Sequence, residues 1–233
     1  MTVVSQLPLG VQLREPVSFA TFWPGPNADA VAALHALASG PGAVFLYSAG
    51  GYGKTHLLQA LARAATEAGR RAAYLDLHEF RGQPPTALEG LEQQDVVCLD
   101  SMHTAFLQSP WTLGVLRLTD ELRARGKSIA LAAKQPPERA DSVLPDLATR
   151  LSAFTVFGLK PLLDPDRRAY LRERAAARGL EMSEDVAALI VSRMERSISE
   201  LLAVVEQLDR AALAAQRKLT LPFVRSTLGL SGR

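Results

Sequence analysis

Five short apolar runs constrain the fold of this chain more than any other feature of its sequence. They are AVFLY (43–47), AAYLDL (72–77), DVVCLD (95–100), SIALAA (128–133) and FTVFGL (154–159). Runs of this length and composition are typical of strands that are buried on both faces. Helical patterns lie between them over about 54–69 and 111–126, and PPTALEGLE suggests a further short helix. Strands that alternate with helices predict an α/β fold with a mainly parallel sheet.

The pattern changes after the fifth run, where helices follow one another without an intervening strand. Asp164 is predicted to cap the first of four helices, with Pro165 at the first helical position. Ser183 is predicted to cap the second. The sequence therefore predicts three regions: an N-terminal segment over 1–18, an α/β domain over 19–160 and a small all-helical domain over 161–233.

Composition narrows the class of protein further. The chain has 233 residues, of which 26 are basic and 24 acidic, so its net charge is only +2. The longest basic cluster is the pair Arg217–Lys218, which does not predict a nucleic-acid-binding surface. The single cysteine, Cys98, excludes an internal disulfide and lies in an apolar run, which favours a buried, inert thiol. Neither a signal peptide nor a stretch of about 18 apolar residues is present, so we expect a soluble cytoplasmic protein with no membrane partner.

The segment SAGGYGKTHLL (48–58) follows the first predicted strand and opens the first predicted helix. It fits the phosphate-binding pattern GxxxxGK[ST] at every fixed position except the first, where Ser48 replaces glycine. In such a loop the backbone N–H groups surround phosphate oxygens, the lysine reaches the β- and γ-phosphates, and the threonine hydroxyl binds Mg²⁺. The alternative is a glycine-rich turn that matches the pattern by chance. The nucleotide-binding interpretation assigns to the site Gly50, Gly51, Tyr52, Gly53, Lys54, Thr55 and His56.

Asp100 ends the third predicted strand and is the candidate for a second Mg²⁺ ligand beside Thr55. The alternative is a carboxylate that caps the following loop. Ser101 comes next, at a point where a hydrolytic site needs a group that orients or deprotonates the attacking water. His103 is close in sequence, but a single histidine in a loop is more typical of the surface.

Segments along nearly the whole chain resemble the AAA+ module of the bacterial DnaA initiator family. They are FATFWPGPN (19–27), the phosphate loop through KTHLL, VVCLDSM (96–102), SIALAAKQPP (128–137), LPDLATRL (144–151) and QLDRAALAAQRKLTLPFVRSTL (207–228). Within this family, RKLTLPFV (217–224) and the N-terminal QLPL (6–9) are most similar to the Hda-type regulatory inactivators of DnaA. The resemblance implies an AAA+ P-loop domain followed by a helical lid.

The resemblance also implies binding roles outside the loop. Asn27, with Trp23 and Pro24 near it, would lie close to the base and ribose of the nucleotide; the alternative is a helix capped by Asn27, with Trp23 in the core.

The resemblance further implies a short extended peptide by which such proteins dock on the DNA sliding clamp. Such a peptide offers a glutamine for hydrogen bonds and leucine for a pocket. The alternative is a terminal tail that binds nothing. The residues that match this peptide are Gln6, Leu7, Pro8 and Leu9.

Arg150 matches the arginine finger of the family. In AAA+ assemblies this residue projects into the nucleotide site of the adjacent subunit, where its planar cation stabilises charge on a transferring phosphoryl group. The alternative is a surface arginine that pairs with Asp146 one helical turn earlier. Arg150 is therefore the candidate catalytic residue, acting in trans.

Several positions depart from the family pattern. Ala132 and Ala133 stand where the family places a polar residue that senses the γ-phosphate, and Lys134 replaces that residue only if its side chain turns inward. Ser199 stands where a lid arginine reaches the nucleotide, and Arg196 is the nearest substitute. Together with the serines at 48 and 101, these departures predict weak or absent ATP hydrolysis by the chain itself. They favour ADP over ATP as the resident nucleotide, with Mg²⁺.

Three functions remain open from the sequence. The first is a negative regulator of replication initiation that docks on the sliding clamp and inserts Arg150 into ATP-bound DnaA. It implies DnaA and the clamp as partners, clamp-loaded DNA as an indirect partner, a possible homo-oligomer, and association with the replisome and nucleoid. The second is an ATPase or loader related to DnaA, which would need an acidic residue at position 101 and a lid arginine. The third is an AAA+ scaffold without catalytic action. Arg150 is the feature that distinguishes the first function from the third.

Overall fold

The computed structural model describes residues 17–106, 109–139, 149–151, 153–194 and 198–230. Its five-stranded sheet has the strand order β2-β3-β4-β1-β5, and β1/β4, β3/β4 and β2/β3 pair in parallel. The predicted α/β fold is confirmed, and each strand bound lies within one residue of the predicted run. The strands are β1 (Gly42–Tyr47), β2 (Ala72–Asp76), β3 (Val96–Asp100), β4 (Ser128–Ala133) and β5 (Thr155–Gly158).

The central strands are buried along their whole length, which explains their continuous apolar sequences. Every residue of β3 and β4 is buried, as expected for a parallel sheet covered on both faces. Cys98 is fully buried in β3, as predicted. Burial, with the Asp100 carboxylate as a smaller cause, raises the pKa of its thiol, so the thiol stays protonated and unreactive.

Seven α-helices have both bounds in the described part of the chain, and residues 149–151 are also helical. The first three are α1 (Ala28–Ser39), α2 (Lys54–Glu67) and α3 (Ser109–Ala124). Four more follow the sheet: α4 (Asp164–Ala176), α5 (Glu184–Arg193), α6 (Ile198–Ala215) and α7 (Leu221–Thr227). Helix α2 packs against β2 and β3 through a fully buried face. That face consists of Leu57, Leu58, Leu61 and Ala65, whose spacing suits one side of a helix.

Three details differ from the sequence-based expectations. PPTALEGLE forms two short 3₁₀ turns, Pro85–Leu88 and Leu91–Gln93, with Gly90 between them at φ +82°. Helix α1 is indicated in the sequence only by the alternative interpretation of Asn27 as a helix cap. The cap of α4 is Leu163 and not Asp164, because the Asp166 carboxylate reaches back to accept the Leu163 N–H at 3.1 Å. The predicted Ser183 cap of α5 is present, with its hydroxyl oxygen accepting the Val186 N–H.

Contacts between Cα atoms group the chain into two compact units, of which the second contains the residues from Gly158 onwards with Trp23–Ala28 and Ser48–Tyr52. In this second unit α4 packs against α5 and α6, and α7 packs against α5 and α6. Its core includes Tyr170, whose ring meets the Trp23 ring edge to face with 6.1 Å between centroids. No helix in the described ranges is both long and apolar enough to cross a membrane.

Arg70 holds the amino edge of the sheet together. One of its terminal nitrogens donates to the carbonyl oxygens of residues 37, 38 and 40, at the end of α1, over 2.9–3.2 Å. The other donates to the Asp95 carbonyl before β3 and to the Ser128 hydroxyl in β4, at 3.0 and 3.1 Å. Ser128 in turn donates to the Gly40 carbonyl at 2.7 Å. One cation thus satisfies acceptors from three elements that local sequence does not bring together.

We expect Arg70→Met to lower the free energy of unfolding by about 3 kcal/mol, because hydrogen bonds from a charged donor are lost and carbonyl groups are left unsatisfied. The neighbouring Arg71→Met is the control, since the Arg71 side chain is exposed and its described contact is a long ion pair, 3.5 Å, with the Asp95 carboxylate, while its backbone hydrogen bonds survive the substitution. An exposed pair contributes under about 1 kcal/mol. Urea unfolding of the two variants measures the difference, and equal losses would contradict the role of Arg70.

Candidate nucleotide-binding site

The glycine-rich loop connects β1 to α2 at the carboxyl edge of the sheet, where parallel α/β sheets bind ligands. Its last residue, Gly53, has the left-handed φ of +96°. A Cβ atom at this position would clash with Cε2 of Phe22. Both the backbone angle and this contact restrict position 53 to glycine. Helix α2 then begins at Lys54, with its N-terminus directed towards the loop.

Ser48 takes the place of the first glycine of the pattern without distorting the loop. Its backbone is not in the left-handed region, so the position does not require glycine. The side chain is buried, and its hydroxyl donates to the Gly50 carbonyl at 2.9 Å. The serine therefore adds an internal hydrogen bond to the loop.

Thr55 and Asp100 meet where the sequence predicts a Mg²⁺ site. The Thr55 hydroxyl, in the first turn of α2, donates to Oδ2 of Asp100 at 2.6 Å. Asp100 ends β3 and is only 3% exposed. Among the described residues, no group of three or more His, Cys, Asp or Glu side chains can hold a metal ion. These two hard oxygen donors suit Mg²⁺, which takes its other ligands from water and phosphate oxygens.

Two further groups satisfy the Asp100 carboxylate, and neither was identified from the sequence. The Tyr74 hydroxyl donates to Oδ2 at 3.2 Å, and the Ser101 N–H donates to Oδ1 at 2.7 Å. Burial, followed by the Asp100 charge, raises the pKa of Tyr74, so its hydroxyl remains a donor at neutral pH. Ser101 adopts a left-handed φ of +57°, which is uncommon for a residue with a side chain. A tyrosine inside an apolar strand gives no signal that distinguishes this role from core packing.

Lys54 lies in a partly desolvated environment. Burial lowers the pKa of Lys54, the Asp100 carboxylate opposes this effect, and Lys134 adds to the lowering. A buried ammonium group with another cation nearby is stabilised when an anion binds beside it. The surroundings of Lys54 therefore suit a phosphate group.

The side chains of His56 and Asn27 have other partners in the structure. Nε2 of His56 lies 2.9 Å from the Ser18 carbonyl and 3.3 Å from the Thr21 hydroxyl. Asn27 donates to the Lys160 carbonyl at 3.0 Å and accepts the Lys160 N–H at 2.8 Å. Asn27 is therefore not a side-chain cap of α1, because this pairing occupies its amide, whereas Trp23 packs against a core, as the same alternative had it. The role of Asn27 near the base and ribose stays a prediction. Any contribution of His56 to phosphate binding is accordingly expected from its backbone N–H.

Other predicted residues lie in the loop or outside the described ranges. Tyr52 is 38% exposed, and its ring lies against Gly50. The predicted clamp-docking residues Gln6, Leu7, Pro8 and Leu9 fall outside the described residues, as does Arg196. Ala132 and Ala133 are buried at the end of β4, so neither offers a polar group to the site.

Arg150 forms an ion pair with Asp120 of α3. Its side chain is 40% exposed and that of Asp120 is 53% exposed. Asp146, the partner considered from the sequence, lies outside the described residues. Arg150 is thus held at the surface by an acidic residue distant in sequence.

Comparisons with known proteins agree with this geometry. The model of the bacterial DnaA ATPase domain matches residues 13–158, and the model of the Hda lid domain matches residues 164–228. Domain III of DnaA from Thermotoga maritima has a TM-score of 0.73 at 20% identity, covering 93% of this chain and 97% of that chain. AMPPCP-bound DnaA from Aquifex aeolicus has a TM-score of 0.70 at 21% identity, covering 86% and 67%. The RuvB Holliday junction branch migration motor from Thermotoga maritima has a TM-score of 0.67 at 13% identity, covering 92% and 72%. At these identities the structural likeness establishes the fold, an AAA+ domain with a helical lid.

The two loop glycines give a matched test of the loop geometry. We expect Gly53→Ala to lower the free energy of unfolding of the nucleotide-free protein by about 2 kcal/mol, because it introduces a strained φ and a clash with Phe22. Gly51→Ala is the control, since a Cβ there has no neighbour within 4 Å. Its effect should stay within about 0.5 kcal/mol. Urea unfolding measures both, and an unchanged stability of Gly53→Ala would contradict the described loop.

Proposed function

This chain belongs to the family of the bacterial DnaA ATPase domain and carries an Hda-type lid, and from this membership we propose that it inactivates the initiator DnaA. Membership of the family makes it a DnaA-related regulator of replication. The specific proposal is that the chain, with nucleotide bound and docked on the sliding clamp, promotes hydrolysis of the ATP held by DnaA. Arg150 is the residue that acts on that ATP.

The nucleotide site supports binding more than turnover. Lys54, Thr55 and the buried Asp100 supply the cation and the oxygen ligands that a Mg²⁺-nucleotide requires. Ser101 provides no carboxylate to activate water, and the buried Ala132 provides no polar contact to a γ-phosphate. We therefore propose slow or absent hydrolysis by the chain itself, with ADP favoured over ATP. Nucleotide binding also accords with the fold, since the DnaA of Aquifex aeolicus was solved with AMPPCP.

The observation that carries the proposal is the surface position of Arg150. An ion pair between two side chains that are 40% and 53% exposed contributes between 0 and about 1 kcal/mol. An arginine finger supplied in trans increases phosphoryl-transfer rates by roughly 10³–10⁵-fold, which corresponds to about 4–7 kcal/mol of barrier. The contact with Asp120 is therefore weak compared with the effect of an arginine finger. This comparison supports a role for Arg150 outside its own subunit.

The remaining partners follow from the proposal. Gln6, Leu7, Pro8 and Leu9 would hold the chain on the clamp, which would make clamp-loaded DNA an indirect partner. This mode of action implies association with the replisome in the cytoplasm, and AAA+ contacts also permit a homo-oligomer. The scaffold function is the alternative, and it requires nothing of Arg150.

The decisive experiment follows ATP loss from DnaA in a reconstituted mixture of ATP-loaded initiator, clamp loaded on DNA, and this chain. We expect Arg150→Ala to abolish the stimulated hydrolysis while the variant still binds ADP. Arg150→Lys should restore little, because an ammonium group lacks the planar fork of guanidinium. Arg63→Ala is the control, since Arg63 is 41% exposed and also pairs with one acidic residue, Glu67. Normal stimulation by Arg150→Ala would favour the scaffold function.

The clamp contact is tested separately by the triple variant Gln6→Ala, Leu7→Ala, Leu9→Ala. We expect it to lose binding to the sliding clamp in surface plasmon resonance, because the glutamine and leucine side chains that such a peptide offers are removed. A wild-type melting temperature would assign the loss to the contact and not to unfolding. Gln12→Ala with Leu13→Ala is the control, because it removes the same residue types just outside the peptide. Undiminished clamp binding by the triple variant would assign the contact to another surface.

A further inference from the structure

A groove of about 410 Å³ lies between helix α3 and the two 3₁₀ turns that precede β3. Its apolar lining includes Pro85 and Leu88 on one side and Leu113 on the other, and Leu113 is 42% exposed. Gly114 of α3 also lines the groove, and a Cβ atom there would lie 2.9 Å from Cδ1 of Leu88. Glycine is unfavourable inside a helix, so the close approach of the first turn explains its presence. The groove is therefore a packed feature with an aliphatic lining.

The rim of this groove is acidic. Among its described lining residues, Glu89, Glu92 and Glu121 contribute three carboxylates against the one guanidinium of Arg117. The net charge of the whole chain is +2, so the negative charge is a local feature. Within the described ranges the Glu89 carboxylate has no hydrogen-bond or ion-pair partner, and the contact of Glu121 with Arg125 is an exposed ion pair of 4.0 Å. This acidic groove suits a segment that presents an aliphatic side chain beside basic ones.

Helix α6, in the second compact unit, presents such a surface. Leu213, near the end of this helix, is 80% exposed, the highest value for a large apolar side chain among the described residues. Arg210 lies one helical turn before it, and Arg217 follows two residues after the helix ends. Both arginines are exposed, and neither guanidinium has an ion-pair or hydrogen-bond partner in the part of the chain that the structure describes. The nearest acidic residues on this helix, Glu206 and Asp209, are only partly exposed. We call Arg210, Leu213 and Arg217 the basic face.

We infer that the basic face of one copy of this chain docks in the acidic groove of a second copy. Leu213 packs on the aliphatic lining, and the two guanidinium groups face the carboxylates of the rim, an arrangement typical of protein interfaces. Because the two surfaces differ, the contact is head to tail, and each pair retains one free groove and one free basic face. The inference goes beyond the proposed function, since the described lining of the groove contains neither the phosphate loop nor Arg150.

Analytical ultracentrifugation of the full chain at low ionic strength tests this contact. The wild type should associate with a dissociation constant on the order of 10–100 μM, as for a small interface, and added salt should weaken the association. Glu89→Arg and Arg210→Glu should each weaken it more than about tenfold, because like charges then face each other. Leu213→Ser should weaken it about tenfold through the loss of apolar burial. Glu79→Arg and Arg193→Glu are the controls, since they reverse exposed charges outside the two surfaces.

An equimolar mixture of Glu89→Arg with Arg210→Glu is the decisive sample. In the mixture the reversed groove of one variant meets the reversed basic face of the other, and the two unaltered surfaces also match. Association should therefore return to near the wild-type level, although each variant alone is monomeric at the same concentration.

Three results would overturn the inference. They are a wild-type chain that stays monomeric at about 0.5 mM, variants that associate as the wild type does, and a mixture that stays as monomeric as its components. Wild-type melting temperatures show that the variants are folded, and Leu213→Ser decides the role of the basic face if a charge reversal unfolds the chain. ADP affinity should be unchanged in every variant, so a failure here leaves the proposed function intact.

Discussion

The buried carboxylate of Asp100 is the constraint on which the candidate site depends. A charge that is 3% exposed must be paired or hydrogen-bonded, because an isolated carboxylate in an apolar interior is too unfavourable to persist. Its donors come from α2, β2 and the turn after β3, through Thr55, Tyr74 and Ser101. One carboxylate therefore fixes three elements relative to each other at the carboxyl edge.

The opposite edge of the sheet is held by a charge of the other sign. Arg70 donates only to carbonyl oxygens and the Ser128 hydroxyl among its described partners, so its contribution is to the fold. The planar guanidinium reaches several acceptors at once, which an ammonium group cannot do with the same geometry. The carboxyl edge, by contrast, holds an unsatisfied group, Nδ1 of His103, and the left-handed Ser101. Natural proteins concentrate such groups at functional sites.

Sequence reasoning predicted the sheet and the central pair of the site because both leave strong local patterns. Buried parallel strands have continuous apolar runs, and the spacing of the phosphate loop fixes Thr55 on the first turn of α2. The partners that it missed depend on contacts distant along the chain. Asn27 pairs with Lys160, 133 residues away, and Arg150 pairs with Asp120 across a segment with no shared pattern. The predicted cap of α4 was wrong by one residue because Asp164 and Asp166 are both suited to the first turn. Only the structure shows that the Asp166 carboxylate accepts the Leu163 N–H.

Ser101 connects the stability of the site to its proposed function. A carboxylate at this position, which an active hydrolase would use to activate water, would stand next to the buried charge of Asp100. Two carboxylates at so short a distance repel each other. As a result, one of them becomes protonated or the fold loses stability. Serine removes this repulsion and leaves its N–H bonded to Asp100 Oδ1. An exchange of activity for stability is common in proteins, and it fits the proposal that this chain binds nucleotide without rapid turnover and acts through Arg150 on the ATP of a neighbour.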